Sequence, residues 1–154
     1  MRRLIVSMCL GVLPLVPLGA ADVLTGVIDP YLRIQSALTT DSLDAVSDEA
    51  KIIVTEAGRM GPTARTVEEA AKELATAADI KAARASFGRL TEAILGYAQT
   101  SGSEVGADVK LAYCPMAKKS WLQKGEKVRN PYYGQEMLDC GEFKAKPAAK
   151  KSGA

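Results

Sequence analysis

The chain contains no histidine, and this absence narrows its chemistry more than any residue it does contain. Imidazole is the commonest general base near neutral pH and the commonest zinc or copper(II) ligand, so both roles lose their usual side chain. Aromatic residues are scarce too, with one tryptophan, two phenylalanines and five tyrosines in 154 residues. Net charge is small. Removing Arg2 and Arg3 from the 20 basic residues brings them level with the 18 acidic ones, and Lys144, Lys146, Lys150 and Lys151 crowd into the final stretch. The body from Asp22 to Phe143 is therefore mildly acidic, which argues against a nucleic-acid surface.

The N-terminal apolar run, Leu4 to Leu18, is short and interrupted by Pro14 and Pro17, which makes it a poor membrane span. Preceded by Arg2 and Arg3 and followed by Gly19-Ala20-Ala21, it has the order of a secretory signal. Residues 1–21 are thus expected to be a cleaved leader. The mature protein is expected to be periplasmic, without a stable membrane span once the leader is cut. Cys9 lies inside this run after Met8, which does not fit a lipoprotein anchor.

Helical periodicity dominates the next part of the chain. Leu24, Val27, Ile28, Tyr31, Leu32 and Leu38 surround Pro30, and a helix is expected over 29–39, where Pro30 suits a first turn. Leu43, Val46, Ala50, Ile53, Ala57 and Met60 recur every three or four residues, the stripe of an amphipathic helix, with Thr40 and Asp41 as caps and Gly61-Pro62 as the stop. A third helix is expected over 65–77, with Thr66 and Glu69 spaced as a capping box. Its stripe is Val67, Ala70, Ala71, Leu74 and Ala78. Asp79 opens a fourth, with stripe Ile80, Ala83, Phe87, Leu90, Ile94 and Tyr97, ending at Ser101-Gly102-Ser103. Four amphipathic segments with short connections predict an all-α protein, an antiparallel up-and-down four-helix bundle with an irregular Cys/Met-containing C-terminal segment. Residues 22–143 form the single domain of this reading and 144–154 a disordered basic tail.

Beyond Gly102 the rhythm changes. Val109, Leu111 and Tyr113 alternate with other residues as in an extended segment packed on one face. They lead into CPMAKKSWLQKGEKVRNPYYGQEMLDCG, Cys114 to Gly141, which holds the only tryptophan and all the sulfur of the expected mature chain except Met60. Cys114-Pro115-Met116 and Met137-Leu138-Asp139-Cys140 each pair a thiol with a thioether. An extended first segment puts Cys114 and Met116 on one side, and a helical turn in the second puts Met137 and Cys140 on one face. Four sulfurs without imidazole or clustered carboxylates suit Cu(I) or Ag(I) better than zinc or calcium. Met60 is a further sulfur if the end of the second helix faces this loop.

A structural disulfide between Cys114 and Cys140 is the competing reading, since exported chains meet an oxidising compartment. The methionines are then core fillers, and Trp121, Tyr132 and Tyr133 are available as contact residues for a protein partner. Neither a Cys-x-x-Cys nor a base beside a thiol is present, and no two carboxylates are set up as acid and base, so an enzyme is not expected.

The ordered series CPMA, WL, RNPYYG and ML-x-CG resembles a family of bacterial periplasmic domains of unknown function. Members occur as small exported proteins and appended to the periplasmic adaptor subunits of copper and silver efflux systems. The likeness runs from about Tyr31 to Glu142 and is most specific at Cys114–Met116, Trp121-Leu122, Asn130–Gly134 and Met137–Gly141. It implies a helical periplasmic domain in heavy-metal handling or efflux, with an efflux adaptor or another periplasmic protein as partner. Some members carry histidine near the first cysteine. Here Ala112-Tyr113 stand there, so a site relying on imidazole is not carried over.

Overall fold

The computed structural model describes residues 21–146. The expected leader, apart from Ala21, and tail residues 147–154 lie outside the described residues. Within them, four helices supply most of the core: α1 Ala21–Thr39, α2 Val46–Arg59, α3 Arg65–Ala75 and α4 Ile80–Ser101. Each packs on its neighbour in sequence, α1 on α2, α2 on α3 and α3 on α4. The apolar stripes face inward as their spacing requires, with Ala50, Ile53, Ala57, Val67, Ala71, Phe87, Leu90 and Ile94 all fully buried. None of the described helices is long and apolar enough to cross a membrane.

The ends of the helices follow the expected signals only in part. Asp79 caps α4, accepting the Ala82 N–H at 2.7 Å, and Gly102 ends it in the left-handed conformation, as glycine at that position commonly does. By contrast, α1 begins well before Asp29 and carries Pro30 in its interior. Pro30 has no N–H to donate to the Gly26 carbonyl, an omission that the flanking turns of a long, buried helix outweigh. Neither Thr40 nor Asp41 caps α2, whose N-cap is Ala45, nor does Thr66 cap α3, whose N-cap is Ala64. Glu69 instead pairs with Arg65 at 3.0 Å.

The all-α expectation is overturned by a three-stranded antiparallel sheet of β1 Lys110–Cys114, β2 Lys119–Gln123 and β3 Glu142–Lys144, in the order β2-β1-β3. The protein is therefore a mixed α/β fold and not a four-helix bundle with an irregular appendix. β1 and β2 form a hairpin in register Ala112↔Trp121 and Cys114↔Lys119. Its four-residue loop, Pro115 to Lys118, closes with Lys118 in the left-handed region at φ 52°. β3 returns to the other side of β1, pairing Ala112↔Phe143 and Tyr113↔Glu142. Lys144, placed by the sequence in the tail, ends β3.

The sheet is bound to the helices through its edge strand. Among the described residues no strand pairs with the outer side of β2, and there the Tyr31 hydroxyl accepts the Leu122 N–H at 3.0 Å. That hydroxyl also lies 2.7 Å from the Thr91 Oγ1, whose own hydroxyl donates to the Phe87 carbonyl at 2.9 Å. A consistent chain runs Leu122 N–H, Tyr31 O–H, Thr91 O–H, Phe87 C=O, joining β2, α1 and α4. Burial pushes the Tyr31 pKa far up, so the donor stays protonated. The ring itself stacks on Phe87 with centroids 4.7 Å apart.

Replacing Tyr31 by phenylalanine keeps the stack and deletes one oxygen, leaving the Leu122 N–H in an apolar enclosure. Urea denaturation is expected to show a loss of about 1–3 kcal/mol. An unchanged midpoint would mean that this hydroxyl does not hold the sheet to the helices.

Candidate functional site: a paired-sulfur centre

The two cysteines lie 26 positions apart and their sulfurs meet, Cys114 Sγ to Cys140 Sγ 2.9 Å. At that separation no covalent bond joins them. Cys114 ends β1 and is fully buried, whereas Cys140 is half-buried at the end of the loop that precedes β3. The antiparallel pairing of β1 with β3 brings that loop end back to the end of β1. The local turn does the rest. Pro115 starts the hairpin loop and the chain folds back at once, so the Ala117 N–H points at Cys114 Sγ at 3.4 Å and the Met116 N–H joins it.

Cys140 is held in place by Asn130, a fully buried side chain. The Asn130 side-chain amide donates to the Cys140 carbonyl at 2.8 Å, its backbone N–H donates to the Leu138 carbonyl at 2.7 Å, and its Oδ1 accepts the Tyr132 N–H at 2.8 Å. The NPYYG loop is docked in turn on the helices. Arg84 donates to the Pro131 carbonyl at 2.8 Å and pairs with Asp41, and Asp41 also accepts the Gln135 N–H at 3.1 Å. Gln35 donates to the Arg129 carbonyl at 2.8 Å. Gly134, at φ 57°, lies so close to the Asp41 carboxylate and the Arg84 guanidinium that any Cβ would collide with both. Gly141, at φ 142°, sits on the Trp121 ring, where a Cβ would stand 2.7 Å from the nearest ring carbon.

Electrostatically the two sulfurs differ. Burial pushes the Cys114 thiol up, but hydrogen bonds from Cys140, the Ala117 and Met116 N–H groups and Asn130 outweigh it, leaving Cys114 below the usual thiol range. Cys140 is raised, because its proton is held by Cys114 and because burial and the neighbouring negative charge oppose its ionisation. Of the two, Cys114 is therefore the readier to lose its proton and Cys140 the readier to keep it.

The remaining predicted site residues fall as follows. Met116 is 64% exposed at the hairpin tip and reaches the sulfur pair through its backbone N–H. Met137 is half-buried, and its carbonyl accepts the Cys140 N–H at 3.1 Å. Met60 follows α2 and packs against the core. So the structure brings the two thiols together, while the two methionines of the stretch supply main-chain groups to the turns on either side. Among the described residues, no group of three or more Cys, Asp or Glu side chains is arranged to hold a metal ion.

Trp121 is fully buried and Tyr132 nearly so, the two rings meeting edge to face with centroids 6.0 Å apart. The Tyr132 hydroxyl donates to the Ser120 carbonyl at 2.5 Å. These two rings are used by the core rather than offered to a partner, and only Tyr133 of the three proposed contact residues is half-exposed. The structural roles of Asn130, Arg84, Asp41 and Gln35 do not follow from the sequence pattern. The one local hint is an asparagine between arginine and proline in a stretch that otherwise becomes apolar.

No protein-family model, curated protein or solved structure matches the chain.

The unequal sulfurs predict two separated thiolate titrations in the reduced protein. Followed by ultraviolet absorbance, the first is expected below the ordinary thiol value of about 8.5 and the second above it. In Cys140→Ala the surviving thiol loses a donor, and its midpoint is expected to move up. A single two-proton transition near 8.5 would show that the hydrogen bonds into Cys114 are not made.

Proposed function

We propose that this chain is a non-enzymatic periplasmic protein that binds a soft monovalent metal ion, Cu(I) before Ag(I), through the reduced Cys114 and Cys140, in a heavy-metal handling or efflux context. The observation that carries the reading is the convergence of the two sulfurs at 2.9 Å, with hydrogen bonds holding the Cys114 thiol below its usual range. The donor set fits the ion: soft thiolates select Cu(I) and related ions, and the chain has no imidazole to draw zinc or copper(II). With metal–thiolate bonds near 2.3 Å, a linear S–M–S unit needs sulfurs roughly 4.6 Å apart, so the pair has to open by about 1.7 Å. The half-buried Cys140 side chain is the more accessible of the two, and the exposed Met116 thioether at the neighbouring hairpin tip is the added ligand to test. The sequence resemblance supports the same context and names the kind of partner, a periplasmic adaptor of a metal efflux system.

A second reading is favoured by the same short separation. Oxidation turns the pair into a Cys114–Cys140 disulfide that pins the loop over the sheet, and the protein then serves as an interaction module. Tyr133 is the ring this leaves accessible.

Anaerobic titration of the reduced protein with Cu(I) against a competing chelator discriminates the two. One equivalent is expected to bind, with at least about a hundredfold loss in Cys114→Ser and in Cys140→Ser. Met116→Leu is expected to cost severalfold and Met137→Leu less. Equal binding by wild type and both serine variants would overturn the metal reading. Full oxidation of both thiols in protein isolated from the periplasm, with no uptake by the reduced form, would favour the disulfide.

A further inference from the structure

The two sulfurs are unequally placed as well as close. Cys114 Sγ sits beneath the hairpin loop, fully buried, with the N–H groups of Ala117 and Met116 and the Asn130 side chain directed at it. Cys140 Sγ stands beside it on a half-buried loop residue, with Cys114 and the Met116 N–H as its partners among the described residues. Closing the pair takes the sulfurs from 2.9 Å to the covalent length of about 2.05 Å and passes two electrons and two protons to an external disulfide, which leaves as two thiols. Once the bond is closed, a thiol from outside has only one sulfur to reach. The other, Cys114, lies buried beneath the hairpin loop with the Ala117 N–H 3.4 Å from its sulfur.

We propose that the Cys114–Cys140 pair is an exchange site for an external thiol, opened by attack at Cys140 with Cys114 as the leaving sulfur. The partner class is a small thiol or a protein dithiol. Its thiolate attacks Cys140 Sγ, and a new sulfur–sulfur bond forms between the partner and Cys140. The Cys114–Cys140 bond breaks, and its electron pair goes to Cys114, where the Ala117 and Met116 N–H groups stabilise it. A second thiolate attacks the partner's sulfur in the mixed disulfide and releases Cys140, which takes a proton and returns to its 2.9 Å contact with Cys114. Two partner thiols are oxidised to one disulfide, and two protein sulfurs are reduced by the same two electrons. A leaving thiolate that is already hydrogen-bonded departs faster, so the arrangement favours opening in this sense.

This device sets when the reduced pair exists. It depends on closure to a disulfide and does not depend on metal binding, so the test contains no metal. The protein is oxidised to the disulfide, exposed briefly to reduced glutathione, quenched with acid, alkylated with N-ethylmaleimide, and the peptides carrying each cysteine are mapped by mass spectrometry. The mixed disulfide is expected on Cys140 in at least tenfold excess, with the alkylating group on Cys114. Adducts shared evenly, or concentrated on Cys114, would overturn the proposal. So would failure of the folded protein to open under conditions that reduce the same bond in urea. Loss of Cu(I) uptake with the Cys140 preference intact would remove the metal reading and leave this one standing.

Discussion

The outer edge of β2 faces the protein's own interior, where backbone groups without partners have no water to turn to. Two tyrosine hydroxyls meet that demand. Tyr31, from α1, takes the Leu122 N–H, and Tyr132, from the loop, gives to the Ser120 carbonyl. Leu122 and Ser120 are two residues apart, so both present their main-chain groups to the same side of the strand. The edge is thus closed by side chains, one from the helical layer and one from the loop. Phe87 lies between the two tyrosine rings, stacked on Tyr31 and 6.0 Å from Tyr132. Sheet, helices and loop share one aromatic core, and the position of the cysteines follows from it.

With β2 fixed, the loop from Lys124 to Gly141 is folded over Trp121. Gln123, fully buried, accepts from the Trp121 indole at 2.8 Å and the Arg129 N–H at 2.9 Å, and donates to the Lys127 carbonyl at 2.7 Å. Asn130 then ties the loop to its own far end at Leu138 and Cys140. Every step satisfies a buried polar group, and breaking one leaves another exposed to an apolar enclosure, so the loop has few cheap ways to move as a whole. Cys140 is delivered to Cys114 by this network, and the sulfur contact is its last link.

Much of the helical part was legible, because the three-four stripes of α2, α3 and α4 follow directly from the side-chain periodicity and because Asp79 and Gly102 mark true ends. The sheet was not. Trp121, Leu122 and Gln123 are buried on both faces of β2 and show no alternation, and β3 has only three residues, too short to carry a pattern. The extended character of β1 was readable from Val109, Leu111 and Tyr113, but its two partners were hidden, so an all-α fold looked sufficient. Asp41 was expected to cap a helix and instead bonds Arg84 and Gln135 across the molecule, a long-range use that no local signal announces. At the site, sequence spacing singled out Cys114 and Cys140 as the sulfurs to watch. It did not reveal that Met116 and Met137 reach them through N–H and carbonyl, because main-chain roles are independent of residue type.

The central claim is that the fold itself, and not a covalent bond, holds Cys140 against Cys114. The most direct measurement is the equilibrium of the pair with a glutathione redox buffer, which gives the effective concentration of one thiol at the other. A cysteine on a flexible connection gives an effective concentration in roughly the millimolar range. A loop docked through Asn130 and Arg84 predicts a value at least about tenfold above that range, falling toward it when Asn130 is replaced by alanine. A value at the flexible-chain level in the unmodified protein, unmoved by that replacement, would contradict the account.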